Sequence, residues 1–282
     1  MTGRTVLTVA ALTLREAARR RVLWALGAMT VVLLALSAWG FSRIAAEFET
    51  FTSGEAVLVS SMVLNLVMFG FSLIAALGTA FLAGPTLAGE VESGMALAVL
   101  ARPVRRSAVL VGKWLGLVVF GTGFVVVAGL AQFLVVQVTV GYWPPQPAAG
   151  LALLAAQTTV LLTLALLLST AISPMASGVV AVGLFGATWI AGVVGGVGEA
   201  LGNEGVARVG AVSRMLLPTD GLWRGAMHAL QDASLLAQSP AAFEGHPFLS
   251  EAGLTPAYLA WAVLWVALVL GLAALTFQRR DL

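Results

Sequence analysis

Cysteine is absent from the 282 residues, and only 10% of them are charged. The first absence excludes disulfides and thiolate metal sites. The second excludes a soluble globule, which carries about 25% charged residues to stay solvated. What remains is 60% hydrophobic, the composition of an all-α polytopic membrane protein. Catalytic signatures are missing as well. There is no H-E-x-x-H helix, no G-x-S-x-G elbow and no G-x-x-x-x-G-K-[ST] phosphate loop. Gly112-Lys113 lacks both the upstream glycine and the following hydroxyl of such a loop. The histidines are His228 and His246, both outside the apolar runs. No Asp, Glu, Lys, Arg or His falls in the middle of an apolar run. Proton-coupled carriers place such groups there, so active transport by this chain would need another energy source or another chain. An intramembrane enzyme would need an acid, base, metal or nucleophile at depth, and the runs offer none. No cofactor, metal or nucleic acid is expected on this chain.

The apolar residues form six runs, 22–41, 56–88, 108–140, 149–172, 176–198 and 257–277. Each is long enough to cross about 30 Å of hydrocarbon as a helix with its backbone satisfied internally. The first, about 20 residues long, exceeds a signal-peptide core, so residues 22–282 read as one six-helix membrane domain preceded by a segment 1–21. The second and third runs are overlong, and must tilt, kink or project; Gly84-Pro85 is a candidate kink. Arginine placement gives the orientation. With the N-terminus inside, the inner segments hold eleven basic residues against four acids, and the outer segments four against nine. The positive-inside rule then predicts N-in, C-in. Fourteen arginines beside a single lysine, Lys113, suggest a GC-rich bacterial genome and hence a bacterial inner membrane.

Connections differ in length. Ser173-Pro174-Met175 is a tight turn that stops the fourth helix. The outer loop 199–256 is the longest, and within it Pro218-Thr219-Asp220 resembles a capped helix start. Leu222, Ala226, Ala229 and Ala233 share a face with Trp223, Met227 and Leu230, giving an amphipathic helix. It rests on the outer surface or re-enters the membrane. Polar residues inside the runs are mild; Asn65, Thr79 and Thr188 are candidates to line a path, as against simple contacts between helices. The pairs Gly112/Gly116 and Gly192/Gly196 permit close packing or dimerisation.

Charge gathers in two places on the inner side. Along Arg4–Arg21, Leu7, Ala11, Leu14 and Ala18 form an apolar line. Arg15 and Arg19 share another face, and Glu16 precedes Arg20 by four residues, a favourable pair. This reads as a helix in the headgroup layer of the lipid bilayer, and equally as an orientation signal. Between runs two and three, Glu90 and Glu92 stand at the start of a short helix expected over 91–101, favoured by its dipole. Arg102-Pro103 ends it, and Arg105 and Arg106 lead into the third run.

The stretch GEVESGMALAVLARPVRRSAVLVGKWLG resembles the segment between spans two and three of ABC-2 type transporter permeases. The match rests on Glu90 or Glu92, Gly94, Pro103-Val104, Arg105-Arg106 and Gly112-Lys113-Trp114. Residues 14–17 and 277–282 are similar to the family's two ends. Met95 stands where the family usually has Thr. The resemblance implies the membrane subunit of a bacterial ABC exporter that works as a dimer, expected to be a homodimer of this chain. It implies a separate cytoplasmic ATPase that carries ATP and Mg, docked on a coupling helix formed by Glu90, Glu92, Gly94, Arg102, Pro103, Arg105 and Arg106, with the N-terminal helix contacting it too. A periplasmic accessory protein is a further expected partner. The alternative is an ATPase-coupled scaffold that matures a periplasmic partner without moving a solute.

Overall fold

In the computed structural model the described residues are 2–47, 53–92, 106–232, 246–250 and 252–279. They form α-helices and connections, with no strand among them. In chain order the helices are α1 (Thr2–Ala17), α2 (Val22–Glu47), α3 (Ser53–Glu92), α4 (Arg106–Val140), α5 (Pro147–Ser169), α6 (Pro174–Ala200), α7 (Glu204–Leu216), α8 (Thr219–Leu230) and α9 (Pro256–Arg279). Six of these, α2–α6 and α9, are long and apolar enough to cross a membrane. Their positions follow the six apolar runs.

The core lies where α3 and α5 meet. On α5, 61% of the most apolar window is buried, against 11% on α2. Helix α2 is therefore a peripheral span that shows most of its surface to lipid. Its exposed Trp24 and Trp39 stand fifteen residues apart, about 22 Å along the axis. That spacing suits aromatic anchors at the two membrane interfaces. The Arg43 guanidinium lies 5.8 Å from the Trp39 ring centre, a cation–π contact near the C-terminal end of α2.

Proline sets the tight turn between α5 and α6. Helix α5 stops at Ser169, earlier than the apolar run ends, and Pro174 opens α6 in its first turn. A proline there loses no helical hydrogen bond. Helix α3 is continuous through Gly84-Pro85 to Glu92.

The first glycine pair seats the N-terminal helix within the same chain. A Cβ on Gly112 would lie 2.7 Å from Val9 Cβ, and one on Gly116 would lie 2.6 Å from the Ala10 carbonyl oxygen. Only glycine admits so close an approach. Helix α1 thus lies in a groove of α4, with Thr13 buried in the contact and Leu7 and Leu12 exposed on the far side. Arg20 donates to Glu16, the expected pair one turn apart.

The long outer loop departs most from expectation. Among its described residues are two helices, and they form a hairpin that enters the span bundle. Helix α7 begins at Glu204, where the Asn203 side chain accepts from the Val206 amide. It runs antiparallel along α6 on small residues. A Cβ on Gly195 would lie 2.6 Å from Gly210 Cα, and one on Gly198 the same distance from the Ala207 nitrogen. Helix α8 returns, with Leu222, Trp223, Ala226, Met227 and Leu230 all essentially inaccessible. The surface-resting alternative is excluded by that burial. A helix lying on a membrane keeps its polar face in water, whereas α8 is covered by α5, α6 and α3.

Candidate functional site

The corner of the hairpin lies deep, and three independent contacts fix its depth. Gln157 Nε2 donates to the Thr219 carbonyl at 3.2 Å, ten residues into α5 from Pro147. Trp265 Nε1 donates to the Leu216 carbonyl at 2.8 Å, nine residues into α9 from Pro256. Asp220 lies against Gly192, eight residues before the end of α6 at Ala200. At 1.5 Å per residue these depths are about 15, 14 and 12 Å. A hydrocarbon core is about 30 Å thick, so the corner reaches its middle.

Irregular backbone is tolerated at that depth only if its polar groups find partners. They do. The last carbonyls of α7 accept from aromatic donors on α9: Arg214 from Tyr258 Oη at 3.0 Å, Met215 from Trp261 Nε1 at 3.2 Å, and Leu216 from Trp265. At the other end of α8, the Ala229 carbonyl accepts from the Gln146 amide at 3.1 Å and Leu230 from Tyr142 Oη at 2.7 Å. Burial, with a smaller contribution from Asp232, pushes the Tyr142 phenol up, so it stays a neutral donor.

The hairpin also brings ionisable groups among the spans. Asp220, in the first turn of α8, has a side chain only 2% exposed. It accepts from Arg224 Nε at 3.0 Å, and Arg224 Nη2 reaches the Gly192 carbonyl at 2.6 Å. Arg214 Nε stands 3.6 Å from the same carboxylate, and its Nη2 is 3.6 Å from Glu199. No side chain caps the start of α8, contrary to the capped start expected at Pro218-Thr219-Asp220, and Asp220 has another role. It is the centre of an ion cluster joining α6, α7 and α8. The Thr219 hydroxyl pairs with Thr188 at 3.0 Å.

A second polar group pins residues 246–250 onto the bundle. Asn65 Nδ2 donates to the Phe248 carbonyl at 3.0 Å. Gln231 Nε2 donates to the Ser250 carbonyl, which His228 Nδ1 also approaches at 3.2 Å, and Gln231 Oε1 accepts from the Ser250 amide at 3.3 Å. Burial lowers the pKa of His246, favouring its neutral ring.

The three path candidates from the sequence all lie inside the protomer. Asn65 binds 246–250, Thr79 donates to the Ala75 carbonyl of its own helix at 2.8 Å, and Thr188 meets Thr219. Arg15 and Arg19 are exposed on and just after α1. Arg106 donates to the Gln278 carbonyl at 3.3 Å, tying the start of α4 to the end of α9. Glu90 and Glu92 fall in the last turn of α3, not at the start of a new helix, so the dipole argument for them does not hold. The rest of the expected coupling element, including Gly94, Arg102, Pro103 and Arg105, lies outside the described residues.

Sequence reasoning missed Arg214, Asp220 and Arg224 because it counted charges only within spans. Two signals were available. One is an acid and an arginine four apart in an otherwise apolar helix, Asp220 and Arg224. The other is a glycine row of spacing three, Gly192, Gly195 and Gly198, which marks a groove for another helix.

Comparison with known proteins adds one match. The family model described as ABC-2 family transporter protein covers residues 7–282. No curated protein matches the chain.

Proposed function

The chain belongs to the ABC-2 family of transporter proteins, and from that premise we propose that it is the permease of a bacterial ABC exporter, paired with a second copy of itself and driven by a separate ATPase. Membership makes it a membrane component of an ABC transporter, not a catalytic subunit, and implies association with an ABC ATPase. The match across 7–282 is the observation that carries the reading. It takes in all six apolar helices and everything from residue 7 to residue 282.

In this reading ATP and Mg bind to the partner. The N- and C-termini lie in the cytoplasm, at the inner membrane, with eleven of the fifteen basic residues on that side. The coupling element is the polar segment Glu90–Arg106 between α3 and α4. Two contacts support force transmission from there. Helix α1 is locked into the first half of α4 at Gly112 and Gly116, and Arg106 ties α4 to the end of α9. A push on the segment would then move α1, α4 and α9 together. Helix α3 would carry it toward the re-entrant hairpin. A path along Asn65, Thr79 and Thr188 would have to open between α3, α5, α6 and α8. A periplasmic accessory protein would meet the outer end of the hairpin.

The test is charge reversal at both acids, Glu90→Lys with Glu92→Lys. The expected result is normal membrane insertion with weakened co-purification of an ABC ATPase from the same organism. Unchanged co-purification would overturn the coupling assignment. ATP-dependent movement of a solute in reconstituted vesicles separates the exporter from a complex that moves none.

A further inference from the structure

Under residues 246–250, aromatic rings from three helices converge. Phe69 on α3 stacks on Trp189 of α6, with centroids 4.6 Å apart and planes 29° from parallel. Trp223 of α8 lies 5.4 Å from the Phe69 centroid and Phe248 lies 5.9 Å from it. Phe248 also lies 6.3 Å from Trp189 and 6.2 Å from His246. Phe69, Trp189, Phe248 and His246 are only partly buried.

Two polar atoms in this region are deeply buried and make no hydrogen bond among the described residues: Asn65 Oδ1, an acceptor, and Trp223 Nε1, a donor. Asn65 is 0% and Trp223 1% exposed. An orphaned buried polar atom is costly and calls for a partner. One such atom is common enough; here Asn65, one turn before Phe69, and Trp223 itself give the ring cluster one unmet acceptor and one unmet donor. The cover over them is suited to opening. Residues 246–250 are held by side chains, Asn65, His228 and Gln231, and not by a helical ladder.

The geometry points to a ligand subsite within one protomer, between α3, α6 and α8 under residues 246–250. It takes a flat, uncharged aromatic group that carries a hydrogen-bond donor for Asn65 Oδ1 and an acceptor for Trp223 Nε1. The ring enters between Phe69 and Trp189, exchanging ring–ring contacts for ring–ligand contacts of the same kind. The ligand needs no net charge, because the rings and the two unmet atoms carry none. The subsite rests on the reading of the chain as a transport permease, and it names a substrate class for it.

The probe is 7-amino-4-methylcoumarin, a flat neutral ring with an amine donor and a carbonyl acceptor. Its comparator, 7-dimethylamino-4-methylcoumarin, has no N–H. The full chain in lipid nanodiscs is titrated by energy transfer from tryptophan, with empty nanodiscs as the partition control. Saturable binding above the control is expected, with the amino probe held more tightly. Phe69→Ala and Trp189→Ala should each weaken it roughly tenfold, the scale of a lost ring contact with its buried area. Trp24→Ala, on the lipid-facing α2, should leave it unchanged. Phe248→Ala, outside the spans, gives a third reading should a span variant aggregate. Asn65→Ala should erase the difference between the probes. Binding no greater than the control, equal affinity in Trp189→Ala and Phe248→Ala, or a probe difference that survives Asn65→Ala would each overturn the subsite. Co-purification of the ATPase with the native chain is scored separately, so loss of the subsite alone leaves the permease reading standing.

Discussion

Gln157 Nε2 donates to the main-chain carbonyl of Thr219 across 3.2 Å, and this bond holds the corner of the α7–α8 hairpin deep among the spans. Gln157 Oε1 meanwhile accepts from Ser72 on α3 at 2.7 Å. One side chain thus joins α3, α5 and the corner of the hairpin.

Replacing Gln157 tests that joint. Gln157→Leu keeps the bulk but leaves the Thr219 carbonyl without this donor and Ser72 without its acceptor. Unmet buried groups cost about 1–3 kcal/mol each. We expect a lower midpoint for thermal aggregation in detergent and faster proteolysis of the loop. In a double-mutant cycle with Ser72→Ala the losses should fall short of additive. Additive losses would mean that the two residues act separately.

Asp220 should matter more than any other single side chain of the hairpin. Asp220→Ala removes the shared partner of Arg224 and Arg214. Breaking a buried pair from one side costs about 3–5 kcal/mol. Loss of folded protein on size-exclusion chromatography is the expected result, with Glu199→Gln far milder because its side chain is 59% exposed and well screened.

Packing of α1 on α4 can be broken without touching charge. Gly116→Val places a side chain where the Ala10 carbonyl already sits, so α1 must leave its groove. The six spans should still insert, while α1 becomes sensitive to protease and ATPase co-purification falls. Retained protection of α1 would mean that the groove tolerates the added volume.

Orientation can be read directly because the chain has no cysteine. An impermeant maleimide should label Glu204→Cys in intact cells, and Arg19→Cys only after permeabilisation. The opposite pattern would reverse the topology.

The sequence alone determined the class, the number of spans and the turn at Pro174. These depend on hydrophobic run length and on proline, both local properties. It also marked the two glycine pairs as places of close approach. It left open what approaches them, since a groove does not specify its occupant. Tertiary structure decided that α1 fills one groove and the re-entrant hairpin the other. It also placed Asp220, Arg214 and Arg224 at depth. A count of charges along the chain sees them in a loop of ordinary polarity. Only the fold supplies the Gln157, Tyr258, Trp261 and Trp265 donors that satisfy the backbone of such a loop inside a membrane, where no water is present to do so.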